Sequence, residues 1–168
     1  FRHDLAQALM TPMFWVKLGY AAIAGVVLAV ALSRLARPAS RLGPLALAMA
    51  APFAGMAIMG AIRLARAAPQ DRMLLMMGDS ARVCPWRILV IGLPLLAGAI
   101  WAVRGLAPTR LTLAGLVAGG CAGAFSAAIY GFHCDEVAAP FVAIWYTFGM
   151  ATVAAVGALA GSKLLRWR

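Results

Sequence analysis

Acidic residues are scarce in this chain. Only five of its 168 residues are Asp or Glu, and none lies near the middle of an apolar run. Transporters and ion pathways keep an ionisable residue at that depth, so the scarcity counts against transport. There are two histidines and three cysteines, with no Cys-x-x-Cys and no paired-His spacing. A preformed metal site therefore has no sequence support, and a thiol oxidoreductase lacks its usual motif. Glycine-rich phosphate cradles and a Ser/His/Asp grouping with a shared location are also missing. We read no enzyme here. The chain opens on Phe1 without a signal-peptide pattern, and the reading expects residues upstream to be missing or removed.

Apolar residues fill this space. They make up 64% of the chain against 12% charged, with a mean hydropathy of +0.91; a soluble globule would carry about half and about a quarter. Several runs approach the roughly 20 residues a helix needs to cross a bilayer. The expected fold is all-α, a polytopic integral membrane helix bundle forming a single domain over residues 1–168. Its spans fall at about 14–35, 44–64, 86–103, 111–132 and 140–164. Lys17 lies near enough to the end of the first span to snorkel. Pro52 is expected to kink the second. The run Met73–Met77 is too short to span and reads as a turn or two at the interface.

A net charge of +10 would suggest nucleic acid for a soluble protein. Positive membrane loops explain it here, and no direct nucleic-acid partner is expected beside the lipid bilayer. The loops sort into two sets. One holds Arg34, Arg37, Arg41, Arg104, Arg110, Lys163, Arg166 and Arg168 with no carboxylate. The other holds Arg2, Lys17, Arg63, Arg66, Arg72, Arg82 and Arg87 with all five acids. Positive charges favour the cytoplasmic side, which assigns the first set and the carboxyl end to the inside. Residue 1 then starts outside, as it would if one more helix preceded it, giving six in the intact protein.

The fourth span carries Gly115, Gly119, Gly123 and Ala127 at four-residue spacing, a smooth stripe for close helix packing. Gly149, Gly157 and Gly161 repeat it more weakly in the fifth. Trp15, Trp86, Trp101, Trp145, Tyr146 and Trp167 fall near helix ends, as an aromatic belt would.

Most polar chemistry of the second half sits in Tyr130–Glu136. Cys121 lies about mid-span and 13 residues before Cys134, roughly 20 Å along a helix and beyond disulfide reach; it reads as a small packing residue. Cys84 and Cys134 both sit at helix ends on one, outer, face, where a disulfide persists if the compartment is oxidising. Spacing alone leaves two unrelated interfacial thiols as the alternative. A protonated His133 would lower the Cys134 thiol pKa, while Asp135 and Glu136 would raise it. Cys84, Cys134 and His133, joined by Met73, Met76 or Met77, also supply soft ligands suited to copper(I), zinc or cadmium.

The segments Arg104–Pro108, Tyr130–Cys134, Phe141–Tyr146 and Leu164–Trp167, with Cys84-Pro85 upstream, resemble the NrsF-like membrane anti-sigma factors. That resemblance implies six membrane helices, a short cytoplasmic amino-terminal segment absent here, and an extracytoplasmic-function sigma factor as partner. It also implies that Cys84 and Cys134 match paired cysteines sensing oxidative or heavy-metal stress. The expectation is thus a bacterial inner-membrane anti-sigma factor, with Arg34, Arg37, Arg41, Arg104 and Arg110 as partner-contact candidates. The rival reading is a small membrane transporter or metal-handling protein.

Overall fold

The computed structural model describes residues 5–37, 43–106 and 108–166, and all regular structure among them is helical. The order is a short α1 (Leu5–Ala8), α2 (Pro12–Leu35), α3 (Leu45–Arg66), a 3-10 turn (Pro69–Asp71) running into α4 (Arg72–Met77), α5 (Cys84–Arg104) and α6 (Leu111–Gly131). A last helical run follows as α7 (Ala139–Phe141), a π-helical turn (Val142–Tyr146) and α8 (Thr147–Leu164). Among the described residues, five helices are long and apolar enough to cross a membrane: α2, α3, α5, α6 and the 26-residue run Ala139–Leu164. Prolines occupy the first turns of α2, α5 and α7, where a missing N–H costs nothing. Arginine or lysine closes α2, α3, α5 and α8, where a cation complements the helix dipole. Both α3 and α5 continue through their internal prolines, Pro52 and Pro94.

The central helix is α6, held by α2, α5 and α8. Its glycine stripe meets the glycines of α8 backbone to backbone. A Cβ on Gly115 would strike the Gly157 carbonyl, one on Gly119 the Val153 carbonyl, and one on Gly123 the Met150 carbonyl at 2.9 Å. These pairings run in opposite directions along the two helices, so α6 and α8 are antiparallel. On α2 the buried residues Phe14, Lys17, Ala21, Ala24, Leu28, Ala31 and Leu35 recur at three- and four-residue steps, one face turned to the bundle. Gly25 of that helix sits against Phe125, and the Cys121 thiol points at the Gly25 carbonyl at 3.6 Å. Tyr20 and Thr147 hydroxyls bond across α2 and α8 at 2.7 Å. Helix α3 is peripheral, with only Met56 and Gly60 buried.

The up-and-down order leaves two chemically different ends. Arg34, Arg37, Arg104, Arg110, Lys163 and Arg166 gather at one. Asp71, Asp79, Asp135 and Glu136 lie at the other, with Cys84, Cys134 and the start of α2. Asp4, Arg41, Trp167 and Arg168 lie outside the described residues.

Candidate functional site

The site forms where α6 ends and the chain must cross to α7. Beyond Gly131 the backbone closes with His133 and Cys134 amides on the Tyr130 carbonyl, then runs without regular structure to Ala138. That stretch is a connection without a regular ladder, so its carbonyls need other donors. Lys17 supplies them. Its Nζ donates to the Cys134 carbonyl at 2.8 Å and the Glu136 carbonyl at 3.0 Å. The side chain is 0% exposed, and the ammonium stands 5.9 Å and 5.7 Å from the Phe14 and Tyr146 ring centroids, within cation–π range. It also lies beside the end of α6, where a positive charge is favoured. The expected snorkelling of Lys17 toward water is therefore corrected: carbonyls on the bundle side outcompete the interface.

The two thiols meet above this lysine. Cys84 is 0% and Cys134 3% exposed, and each is a thiol rather than half of a disulfide. The Cys84 thiol lies beside the Cys134 sulfur, and its S–H, placed to donate to a Cys134 thiolate, is the largest of several influences holding the Cys134 thiol pKa well below the usual thiol range; burial opposes it. The Lys17 charge, the Tyr146 hydroxyl and the Glu136 amide act in the same sense as Cys84, because each favours the anion. The Tyr146 hydroxyl is buried and makes no hydrogen bond of ordinary length, and the Cys134 sulfur is the polar group that acts on it most. Tyr146 is thus a lining residue of the thiol pair and not part of an aromatic belt; the π-helical turn that ends on it sets its direction, as such turns often do at functional sites. The Ser80 hydroxyl lies 3.9 Å from the Cys134 sulfur.

The long connection before α5 folds over this pair. Glu136 Oε1 accepts the Asp79 amide at 2.7 Å. The preceding Gly78 has φ +49, and a Cβ there would meet the Glu136 carboxylate at 2.5 Å, so the close approach and the left-handed backbone both require glycine. Trp145 donates its indole N–H to the Met76 carbonyl at 2.8 Å. Helix α4 is in this way pinned to the Cys134 loop and to the π-helical turn. A Glu136→Ala variant is expected to release it and to speed alkylation of Cys134 about fivefold, the factor for about 1 kcal/mol of lost docking. An unchanged rate, followed by mass spectrometry, would show that this contact does not cover the thiol.

The model of the family described as "NrsF: Negative regulator of sigma F" matches residues 1–167. The chain belongs to the NrsF family. It is 42% identical over 166 residues to the probable anti-sigma-F factor NrsF of Azospira oryzae, covering 99% of this chain and 78% of that one. It is likewise 42% identical over 168 residues to the anti-sigma-F factor NrsF of Caulobacter vibrioides, with the same coverage. No solved structure matches it.

Within this NrsF-family chain the structure joins Cys84 to Cys134 but does not bring His133 to them. His133 is exposed, its ring Nδ1 lying 3.4 Å from the Ile129 carbonyl, and it lines a cleft of about 390 Å³ with Trp86, Arg87 and Tyr130. Among the described residues no three His, Cys, Asp or Glu side chains gather as metal ligands would. Met73 and Met77 are exposed. At the far end Arg34, Arg37, Arg104 and Arg110 are exposed, while Arg41 falls outside the described residues. Lys17 and Tyr146 are the functional residues a linear reading misses. The signal for Lys17 was its register: it shares a stripe with Ala21, Ala24 and Ala31, and small residues mark the face where helices approach.

Proposed function

We propose that this chain is a membrane-embedded anti-sigma factor that restrains a sigma factor of the extracytoplasmic-function class and releases it when Cys84 and Cys134 react. The observation that carries the sensor half is the contact between two buried thiols, drawn from segments far apart in sequence, at the end of the bundle that also holds the acidic residues. The sigma-factor half rests on family membership and on the names of the two relatives. The bundle sits in the bacterial inner membrane with its carboxyl end and Arg34, Arg37, Arg41, Arg104 and Arg110 in the cytoplasm, the side favoured for loops that carry positive charge and here free of any carboxylate. Those arginines are the partner-contact candidates on this chain.

Two chemistries fit the pair. In oxidation, the two thiols form one S–S bond and give up two protons and two electrons to an oxidant such as a peroxide, whose O–O bond breaks to yield water or alcohol. In metal sensing, both sulfurs bind a soft ion and lose their protons. Two sulfurs suit copper(I); zinc or cadmium in tetrahedral coordination would draw two further donors from water or from side chains that reorient, His133 among them. Either event changes the α5 contact with the Cys134 loop. It shifts the sigma-bound state only by its differential affinity for the two arrangements of the bundle.

A reporter strain tests this. Replacing the native gene with Cys134→Ser is expected to abolish induction of the sigma-dependent promoter by peroxide or by copper and cadmium salts. Normal induction in both Cys84→Ser and Cys134→Ser strains would remove the thiols from the signal path.

A further inference from the structure

The outer faces of α5 and α6 carry a polar feature that the thiol pair does not use. A cleft of about 390 Å³ runs between them, lined by Trp86, Arg87, Val90, Ile91, Tyr130 and His133. Helix α5 runs away from the thiol end and α6 toward it, so this lining is graded along the bundle axis. Arg87 and His133 stand nearest the acidic end, while Val90 and Ile91 lie one turn of α5 deeper, about 5 Å. Trp86 and Val90 are 67% and 64% exposed, so the cleft opens on the surface of the bundle and not into its core. The Arg87 guanidinium lies 5.9 Å from the Tyr130 ring centroid, a stacking that arginine makes readily. Among the described residues no carboxylate pairs with it. Two other clefts of similar size lack this grading. The groove of about 370 Å³ beside Leu28, Phe53 and Met150 has no charged residue in its lining. The one of about 360 Å³ beside Arg63 and Arg66 includes Asp71, whose carboxylate opposes an anion.

We propose that the cleft between α5 and α6 binds one anionic phospholipid of the surrounding bilayer, with the lipid phosphate on Arg87 and an acyl chain along Val90 and Ile91. This rests on the reading of the bundle as membrane-embedded. The order of chemistry with depth is what selects the ligand. A phospholipid presents phosphate, then ester, then hydrocarbon; the cleft presents a guanidinium, then aromatic edges, then aliphatic side chains. The guanidinium offers a fork of donors matched to phosphate oxygens, and basic pockets between membrane helices take lipid headgroups in this way. A small soluble anion leaves the aliphatic floor uncovered. A neutral apolar guest leaves the guanidinium without a counter-charge. A zwitterionic lipid brings its own cation beside the phosphate, which competes with Arg87, so a headgroup of net negative charge is preferred.

The test is native mass spectrometry of the full chain, delipidated in detergent and titrated with dioleoylphosphatidylglycerol or dioleoylphosphatidylcholine. The first phosphatidylglycerol is expected to bind about tenfold more tightly than phosphatidylcholine. Arg87→Gln should weaken it about tenfold, the loss expected for a hydrogen bond to a charged partner, and Arg87→Lys should keep part of the affinity. Arg82 lines the adjoining cleft, of about 450 Å³, that shares Trp86; Arg82→Gln removes the same charge and should change little. Val90→Trp fills the aliphatic floor from an exposed position with Arg87 intact, and should weaken binding as far as Arg87→Gln does. Inorganic phosphate in millimolar excess should not displace the lipid. The site is overturned if wild type shows no preference for phosphatidylglycerol, or if Arg82→Gln and Arg87→Gln lose equally, since diffuse charge would then suffice. Displacement by phosphate alone overturns it as well. Should Arg87→Gln not purify, Val90→Trp decides, and wild-type affinity in that variant sinks the proposal. Failure of the membrane reading looks different: the chain would stay monodisperse once detergent is removed, whichever residue stands at position 87.

Discussion

A leucine at Gly119 is expected to leave little folded bundle to purify. The Cβ alone would strike the Val153 carbonyl and lie 2.8 Å from the Ala154 Cα. Those are backbone atoms of α8 and cannot rotate aside. Overpacking against side chains costs about 1–3 kcal/mol because they yield; here whole helices must separate, and α6 with α8 is the most extensive contact in the fold. Gly157→Leu meets the Gly115 carbonyl from the other side and should fail in the same way. The control is Gly98→Leu on α5, where a Cβ meets nothing within 4 Å. That variant gains helix propensity, by up to about 1 kcal/mol, and should purify and melt like the parent. Monodisperse yield and thermal midpoint in detergent decide it. Similar midpoints for Gly119→Leu and Gly98→Leu would mean the stripe is not a tight interface.

That stripe was legible because close helix packing writes itself in sequence as small residues at fixed spacing. The five apolar runs were legible for a similar reason: crossing length and hydropathy are one-dimensional properties. Cys84 and Cys134 could be placed on one face by counting helices, and their contact follows from that count plus the docking of α5 on α6. What lay hidden depends on atoms brought together from afar. Lys17 near a helix end reads as a residue reaching for water, since the carbonyls that hold it belong to a loop more than a hundred residues later. Tyr146 reads as interfacial aromatic because only the π-helical turn, which has no periodicity signature over five residues, directs it to the sulfurs. Glu136 looked like half of a solvated acidic pair. Its role appears only when Gly78, with φ +49, brings the connection beneath the carboxylate. His133 misled in the opposite way: adjacency to Cys134 in sequence places it on the other side of the turn, exposed.

The second large effect is expected at Cys84, where serine and alanine should part company. The Cys84 thiol is placed to donate to a Cys134 thiolate and contributes most to lowering its pKa. Serine keeps a donor at this position, whereas alanine removes it. A hydrogen bond to a charged group is worth about 1.5–3 kcal/mol, so Cys84→Ala should slow Cys134 alkylation about tenfold at neutral pH. The sign follows from the anion being the nucleophile: a thiol pKa held low keeps the rate up as pH falls, and a pKa allowed to rise makes the rate drop about tenfold for each pH unit below it. Cys84→Ser should stay within about threefold of wild type, a hydroxyl being the better donor but set further from the sulfur. Equal rates for the alanine and serine variants would show that the hydrogen bond does not govern the nucleophile. The pair of variants also separates two kinds of sensor. Serine cannot form a disulfide and is a poor ligand for a soft ion, so a signal that needs both sulfurs is lost in Cys84→Ser although Cys134 still reacts. A signal carried by modification of Cys134 alone survives that substitution and is slowed about tenfold in Cys84→Ala at neutral pH. The reporter and the alkylation rate, measured on the same two variants, therefore say whether the two sulfurs act as one site or as a nucleophile and its hydrogen-bond donor.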